Sequence, residues 1–234
     1  MQTLSGLAGR VRYIRRSEGL LPLLRRASTF LLSRLFEYRV YYLSAAHVDD
    51  PDSLDEADYM PRIDGCTRRV VRSNEEADRL EAEGFEFRSC AINSRERLDK
   101  GAIACCLFIG RELAHIGWAA LTPEARDALN EPPVMMDFSQ HEAYRGGAWT
   151  HPKYRRMRLT LFGLQAGRRM LWDSGVTVVR SAVARRNVPQ RTLMGRLTPS
   201  FYAEGRYLRV LCWKSWRERP LVTPPSESPA VGPP

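Results

Sequence analysis

The stretch "THPKYRRMRLTLFGL" (150–164) sets Lys153, Arg155, Arg156 and Arg158 where an apolar run turns into a helical pattern beginning at Leu159. A helix N-terminus already carries about half a positive charge and unpaired N–H groups, so each added cation costs roughly 0.3–1 kcal/mol there. A bound anion removes that conflict, with the amides of Met157, Leu159 and Thr160 as donors and the guanidinium groups as counter-charge. Arg185 and Arg186, just ahead of Asn187, bring a second basic cluster. Proton-transfer candidates lie nearby in sequence: His141 precedes and Glu142 opens the glycine-containing run "EAYRGGAWTH", and Tyr144, Tyr202 and His151 add further polar tips. Each also has a structural reading, as an exposed turn residue or a half-buried packing residue. His115, Trp118 and the adjacent Cys105 and Cys106 fit a core strand better than a reactive centre.

The charge distribution agrees with an anionic partner. Residues 151–219 carry sixteen Lys/Arg against three Asp/Glu, whereas 44–150 carry twelve against twenty-one. The chain of 234 residues suits one sizeable core with appendages. Its five cysteines form no C-x-x-C pair, which argues against a zinc site or a disulfide framework and for a reducing compartment. No apolar run is long enough for a membrane span, and no secretory signal is evident, so a cytoplasmic location is expected.

Several elements must hold these residues. Residues 1–43 show apolar positions at helical spacing interleaved with arginine, a basic amphipathic pattern suited to peripheral contact with an anionic membrane or to packing on the domain. With the acid-rich linker around 49–58 they form an extension over 1–60. Strands are expected over 67–73, 101–109, 112–121, 134–138, 142–151, 176–184 and 200–216, the last two-stranded around Glu204–Gly205. Helices are expected over 74–84, 159–174 and 187–197, with Asn74 and Asn187 as N-caps. The tail over 220–234, with six prolines, is expected to be disordered.

This order over 61–219, and above all "THPKYRR" followed by helix, strand and "ARRNVPQRTLMGRL", resembles the GNAT acetyltransferase superfamily. The resemblance implies an α+β fold with a mixed, mostly antiparallel central sheet flanked by helices, here with an N-terminal amphipathic extension. It also implies acetyl-CoA or another acyl-CoA as cofactor and direct transfer of the acyl group to an amine. Arg155, Arg156, Met157, Arg158, Leu159 and Thr160 would form the pyrophosphate loop. Trp149 on the preceding strand and Asn187 would border the pantetheine arm. Glu142 or His141 would be the base, with Glu142 taken first, and since the family's tyrosine position is Met194 here, Tyr202 or Tyr144 would stand in as the acid, with Tyr202 taken first. The sequence departs from the family at three positions: Arg158 where the loop has glycine, Thr160 where it has glycine or alanine, and Met194 where a tyrosine acid is common. Similarity to GNAT-like proteins of bacterial surface polysaccharide synthesis implies an amino-sugar acceptor. The alternative is an inactive module of this fold that binds nucleic acid or an acidic partner through its basic C-terminal half; "RYLRVLCWKSWRER" (206–219) interleaves aromatics with cations in that manner.

Overall fold

The computed structural model describes residues 35–50, 59–88, 91, 93–129, 132–197 and 201–221. Eight strands form one sheet in the order β2-β3-β4-β5-β6-β1-β7-β8. The strands are β1 (Phe36–His47), β2 (Cys66–Val71), β3 (Ile103–Ile109), β4 (Glu112–Ala120), β5 (Glu142–Thr150), β6 (Val178–Ala184), β7 (Phe201–Val210) and β8 (Trp213–Pro220). The helices are α1 (Asn74–Ala82), α2 (Ser94–Asp99), α3 (Pro123–Ala128), α4 (Leu159–Asp173) and α5 (Val188–Leu197). The fold is α+β, with a mostly antiparallel sheet: β1–β6, β2–β3, β3–β4 and β4–β5 pair antiparallel, and β5–β6 pair parallel. Among the described residues no helix is long and apolar enough to cross a membrane.

The described residues divide into two compact units, one drawn from 41–205 and 218–221 and the other from 35–40 and 206–217. In the larger unit α4 packs on β3, β4 and β5, while α2 contacts β3 and α3 contacts β4. Tyr144 and Arg145 show that these are opposite faces, because consecutive strand residues point to opposite sides. The Arg145 guanidinium lies against Gly167 of α4, whereas the Tyr144 ring lies under Arg126 of α3. The α4 side of the core holds Cys105, Ala119, Ala143, Met170, Leu171 and Val176.

Four expectations are corrected. Residues 36–47 are not part of a helical extension; "FEYRVYYLSAAH" is a strand in the interior of the sheet order. Its run of aromatic and valine side chains suits a pleated surface, and the leucine spacing that suggested a helix ends at Leu35. Residues 1–34, 51–58 and 222–234, which carry the rest of that extension, most of the acidic linker and the tail, lie outside the described residues. The final hairpin turns at Leu211–Cys212 rather than Glu204–Gly205. Gly205 is buried within β7, and its turn signal is overridden by the strand around it. The run 134–138 is not a strand but leads into a single 3-10 turn, Phe138–Gln140. Helix α1 is capped by Ser73, whose side chain accepts from the Glu76 amide, one residue before the expected cap.

His115 ties β4, β5 and α4 together. It is 3% exposed, and its Nδ1 lies 2.8 Å from Thr150 Oγ1, which in turn lies 3.4 Å from Thr160 Oγ1. Burial pulls its pKa down from 6.5 to about 4, so the ring is neutral in the fold. The unfolded chain binds a proton through this window and the folded chain does not. Stability is therefore expected to fall by up to about 3 kcal/mol as pH drops from 6.5 to about 4, a slope that denaturant titrations should find flattened in His115→Gln. Gly163 of α4 faces the same ring: a Cβ there would lie 2.8 Å from His115 Cδ2. Gly163→Ala should thus destabilise by about 1–3 kcal/mol, although alanine normally favours a helix interior; a thermal melt gives the sign.

Candidate active site

Strands β5 and β6 run parallel and side by side for only three rungs: Glu142–Val178, Ala143–Val179 and Tyr144–Arg180. Both strands continue, β5 to Thr150 and β6 to Ala184, each paired on its other side with β4 and β1 respectively. Beyond Tyr144 the register between them stops. Past the third rung the facing edges of the two strands carry no ladder. The distortion that accompanies this is visible on the other edge of β5, where the β4 register shifts between Ile116 and Trp118 and Gly147 takes φ 60°. A Cβ at Gly147 would also press on Trp118 Cδ1 at 3.1 Å, so two constraints require glycine there.

The open end of β5 leads directly into the basic loop. His151 accepts from the Lys153 amide and starts a 3-10 turn over Pro152–Tyr154. Glu112 of β4 anchors that turn: it accepts from Lys153 Nζ at 2.9 Å and from the Tyr154 hydroxyl, and lies 3.6 Å from His151 Nε2. The hydrogen bond from Tyr154, then that from Lys153, holds the Glu112 carboxyl below its ordinary range. Lys153 is therefore already neutralised within the protein and belongs to the loop's anchorage. Met157 turns its side chain inward with Tyr154 and Leu159, and its carbonyl accepts from the Arg62 amide. Of the residues expected to hold a cofactor, Met157 and Leu159 thus offer only backbone.

Arg155, Arg156 and Arg158 differ from Lys153. All three are exposed, and their guanidinium groups have no hydrogen bond or ion pair among the described residues. Arg156 and Arg158 adopt φ 68° and 61°, the left-handed conformation that glycine takes at no steric cost. Arg158 is the N-cap of α4, and neither a side-chain cap nor an acidic residue compensates the first turn. The first-turn amides of Leu159, Thr160 and Leu161 have no intrahelical acceptor, as at every helix start, and the residues just before them in the chain are cationic instead of acidic. Trp149, partly buried on the part of β5 past the last rung, stacks edge-on with His151 at 5.7 Å. At the end of β6, Asn187 caps α5, its Oδ1 accepting from the Gln190 amide at 3.3 Å; Arg185 and Arg186 beside it are exposed.

The two residues expected to move protons meet through a third. Arg180 Nε donates to Glu142 Oε2 at 2.7 Å and Arg180 Nη2 to Oε1 at 2.5 Å, a forked ion pair beside the last parallel rung. The Asp137 amide also donates to Glu142 Oε2. The bonds from Arg180, foremost, depress the Glu142 carboxyl, so it is ionised at neutral pH. The Arg180 guanidinium lies 5.4 Å from the Tyr202 ring centre. Burial pushes the Tyr202 phenol up, which keeps its proton on at neutral pH. Tyr144, by contrast, is fully buried in the sheet face, His141 is an exposed turn residue at φ 59°, and Met194 is buried. Sequence reasoning missed Arg180 and Glu112. A lone arginine in "VTVVRSAVA" and a glutamate opening an otherwise apolar strand were the available signals.

No protein-family model and no curated protein sequence matches the chain. Among solved structures, similarity is found to a GCN5-related N-acetyltransferase from Kribbella flavida (16% identity, TM-score 0.37, covering 67% of this chain and 53% of that one). It is also found to one from Sphaerobacter thermophilus (16%, TM-score 0.39, 69% and 49%). A third likeness is to a tandem GNAT protein from the clavulanic acid biosynthesis pathway (17%, TM-score 0.40, 74% and 54%). The chain spans about half the length of each.

The left-handed N-cap sets up a direct measurement. Arg158→Gly removes steric strain and one cation from a helix start, against glycine's larger unfolded-state entropy. A net gain of about 1 kcal/mol, a rise in Tm of about 2–4 °C, is expected in a thermal melt.

Proposed function

We propose that this chain is an acyl-CoA-dependent N-acyltransferase. The carrying observation is the parallel pair β5–β6, whose ladder ends after Tyr144 and Arg180 and whose open end runs through the basic loop into α4. The residues fit such a ligand. Arg156 and Arg158 already take the backbone conformation that a glycine loop would supply, and Arg155, Arg156 and Arg158, exposed and without a side-chain partner among the described residues, immediately precede α4. Arg155, Arg156 and Arg158 would hold the phosphates, and the exposed edges of the parted strands would pair with the amide-bearing arm. When bound, acyl-CoA supplies an activated thioester.

The chain's own groups supply proton handling. Glu142, held as a carboxylate, accepts the proton of the attacking amine, and the Arg180 fork fixes its direction. Tyr202, protonated at neutral pH, serves as donor to the leaving sulfur. The low pKa makes Glu142 a weak base, and its oxygens are already engaged by Arg180 and the Asp137 amide. That engagement favours a second reading, in which the cleft binds acyl-CoA without turnover. The acceptor is a small-molecule amine, with amino sugars the class to assay first.

Calorimetric titration with acetyl-CoA should give binding, weakened about tenfold or more in an Arg155→Ala/Arg156→Ala double variant; no heat at millimolar ligand overturns the proposal. In turnover with an amine panel, Glu142→Gln should lower kcat by about 10²–10⁴-fold while leaving acetyl-CoA affinity intact. Because Glu142 titrates below the usual carboxylate range, no loss of rate between pH 7 and 5 should trace to it: an acid limb there should persist in the slow Glu142→Gln enzyme. Binding with no turnover for any amine supports the second reading.

A further inference from the structure

The smaller unit presents a surface that acyl transfer does not use. Its β7–β8 hairpin closes on Leu211–Cys212, with Leu211 at φ 55°. Two-residue hairpin turns that need left-handed backbone favour Asn, Asp or Gly. A leucine there is sterically costly, and at 61% exposed it gains little from burial. The Leu211 amide donates to the Leu35 carbonyl at 2.6 Å, which brings the start of β1 to the turn. Next to Leu35 or the turn in the chain, or bonded to the turn, Phe36 (55% exposed), Trp213 (57%) and Leu35 (45%) are also exposed. With Tyr38 and Val210, six of the eleven exposed large hydrophobic side chains among the described residues fall within 35–40 and 206–217. Such clustering marks an interaction surface, unlike exposed hydrophobics scattered singly.

Charge selects the occupant. The same segments carry Arg39, Arg206, Arg209, Lys214 and Arg217 against one carboxylate, Glu37, which is itself paired with Arg39 at 2.6 Å and Arg209 at 2.9 Å. A second copy would set these cations against one another with no acidic counterpart. A nucleic acid would use the ring faces of Phe36, Tyr38 and Trp213, but stacking gives no role to the aliphatic Leu35, Val210 and Leu211 exposed in the same segments. An anionic bilayer answers both features, since aliphatic and indole side chains enter the headgroup boundary while cations meet lipid phosphates. We propose that the Leu211–Cys212 turn, with Leu35, Phe36 and Trp213, docks this protein on an anionic lipid surface.

The test is co-sedimentation of the full chain with vesicles of phosphatidylcholine mixed with phosphatidylglycerol, against phosphatidylcholine alone. The wild type should sediment with the mixed vesicles only. Leu211→Gly should keep or raise Tm, because it relieves the left-handed leucine, so its effect on binding is free of unfolding. Combined with Trp213→Ser it should lower partitioning about tenfold or more. Partitioning unchanged in the double variant overturns the proposal and assigns lipid contact to another part of the chain. So does failure of the wild type to bind vesicles. Sedimentation velocity showing a dimer that these substitutions dissociate would instead assign the surface to a second copy, and salt-sensitive filter binding of a single-stranded oligonucleotide lost in the same variants would assign it to nucleic acid; either overturns it.

Discussion

Everything distinctive in the larger unit follows from where β5 and β6 stop pairing. A parallel pair normally extends its ladder as far as both strands run, because unpaired backbone groups are costly away from water. Here the ladder ends after three rungs while both strands continue. Each is kept extended by its other neighbour, β4 for β5 and β1 for β6. Past the last rung each strand's extension is thus set by its outer neighbour: β5 follows β4 across a register shift and a left-handed Gly147, and β6 follows the antiparallel β1. The finding that β1 is a strand rather than helix matters for this reason. Without it β6 would have no registered neighbour past Arg180.

The two ends of the β5–β6 pair have opposite electrostatic characters. At the closed end, charge is compensated: Glu142 and Arg180 neutralise each other in a forked pair next to a phenol that keeps its proton. At the open end, Arg155, Arg156 and Arg158 stand uncompensated at a helix start that already favours anions. The protein could have neutralised them internally, as it does Lys153 through Glu112. Among the described residues these three cations are left unpaired, two of them on sterically costly backbone; under the proposed function a bound polyanion would offset that stability loss.

Much of this was legible in the sequence. The span of α4, the cap of α5 at Asn187 and the basic loop were read from spacing and capping residues, because those are local rules with local causes. The strand character of 36–47 was hidden by leucines upstream at helical spacing, and the turn at Leu211–Cys212 by a competing Glu-Gly signal. Both are decided by sheet neighbours distant in the chain. The Glu142–Arg180 pair was invisible for the same reason: the residues lie 38 apart, and only the parallel register makes them neighbours. That Arg158 could occupy a glycine's conformation was equally out of reach, since the residue type argues against the backbone it adopts.

The central claim is that the parted strands and the mouth of α4 form one binding cleft for a thioester carried on a polyphosphate. Amide hydrogen exchange with and without coenzyme A tests it at residue level. The account predicts that protection rises in 145–150 and at Leu159, Thr160 and Leu161, with little change in β2 and β3. Unchanged exchange across both segments at saturating ligand, or protection gained only on the surface around Leu211, would contradict it.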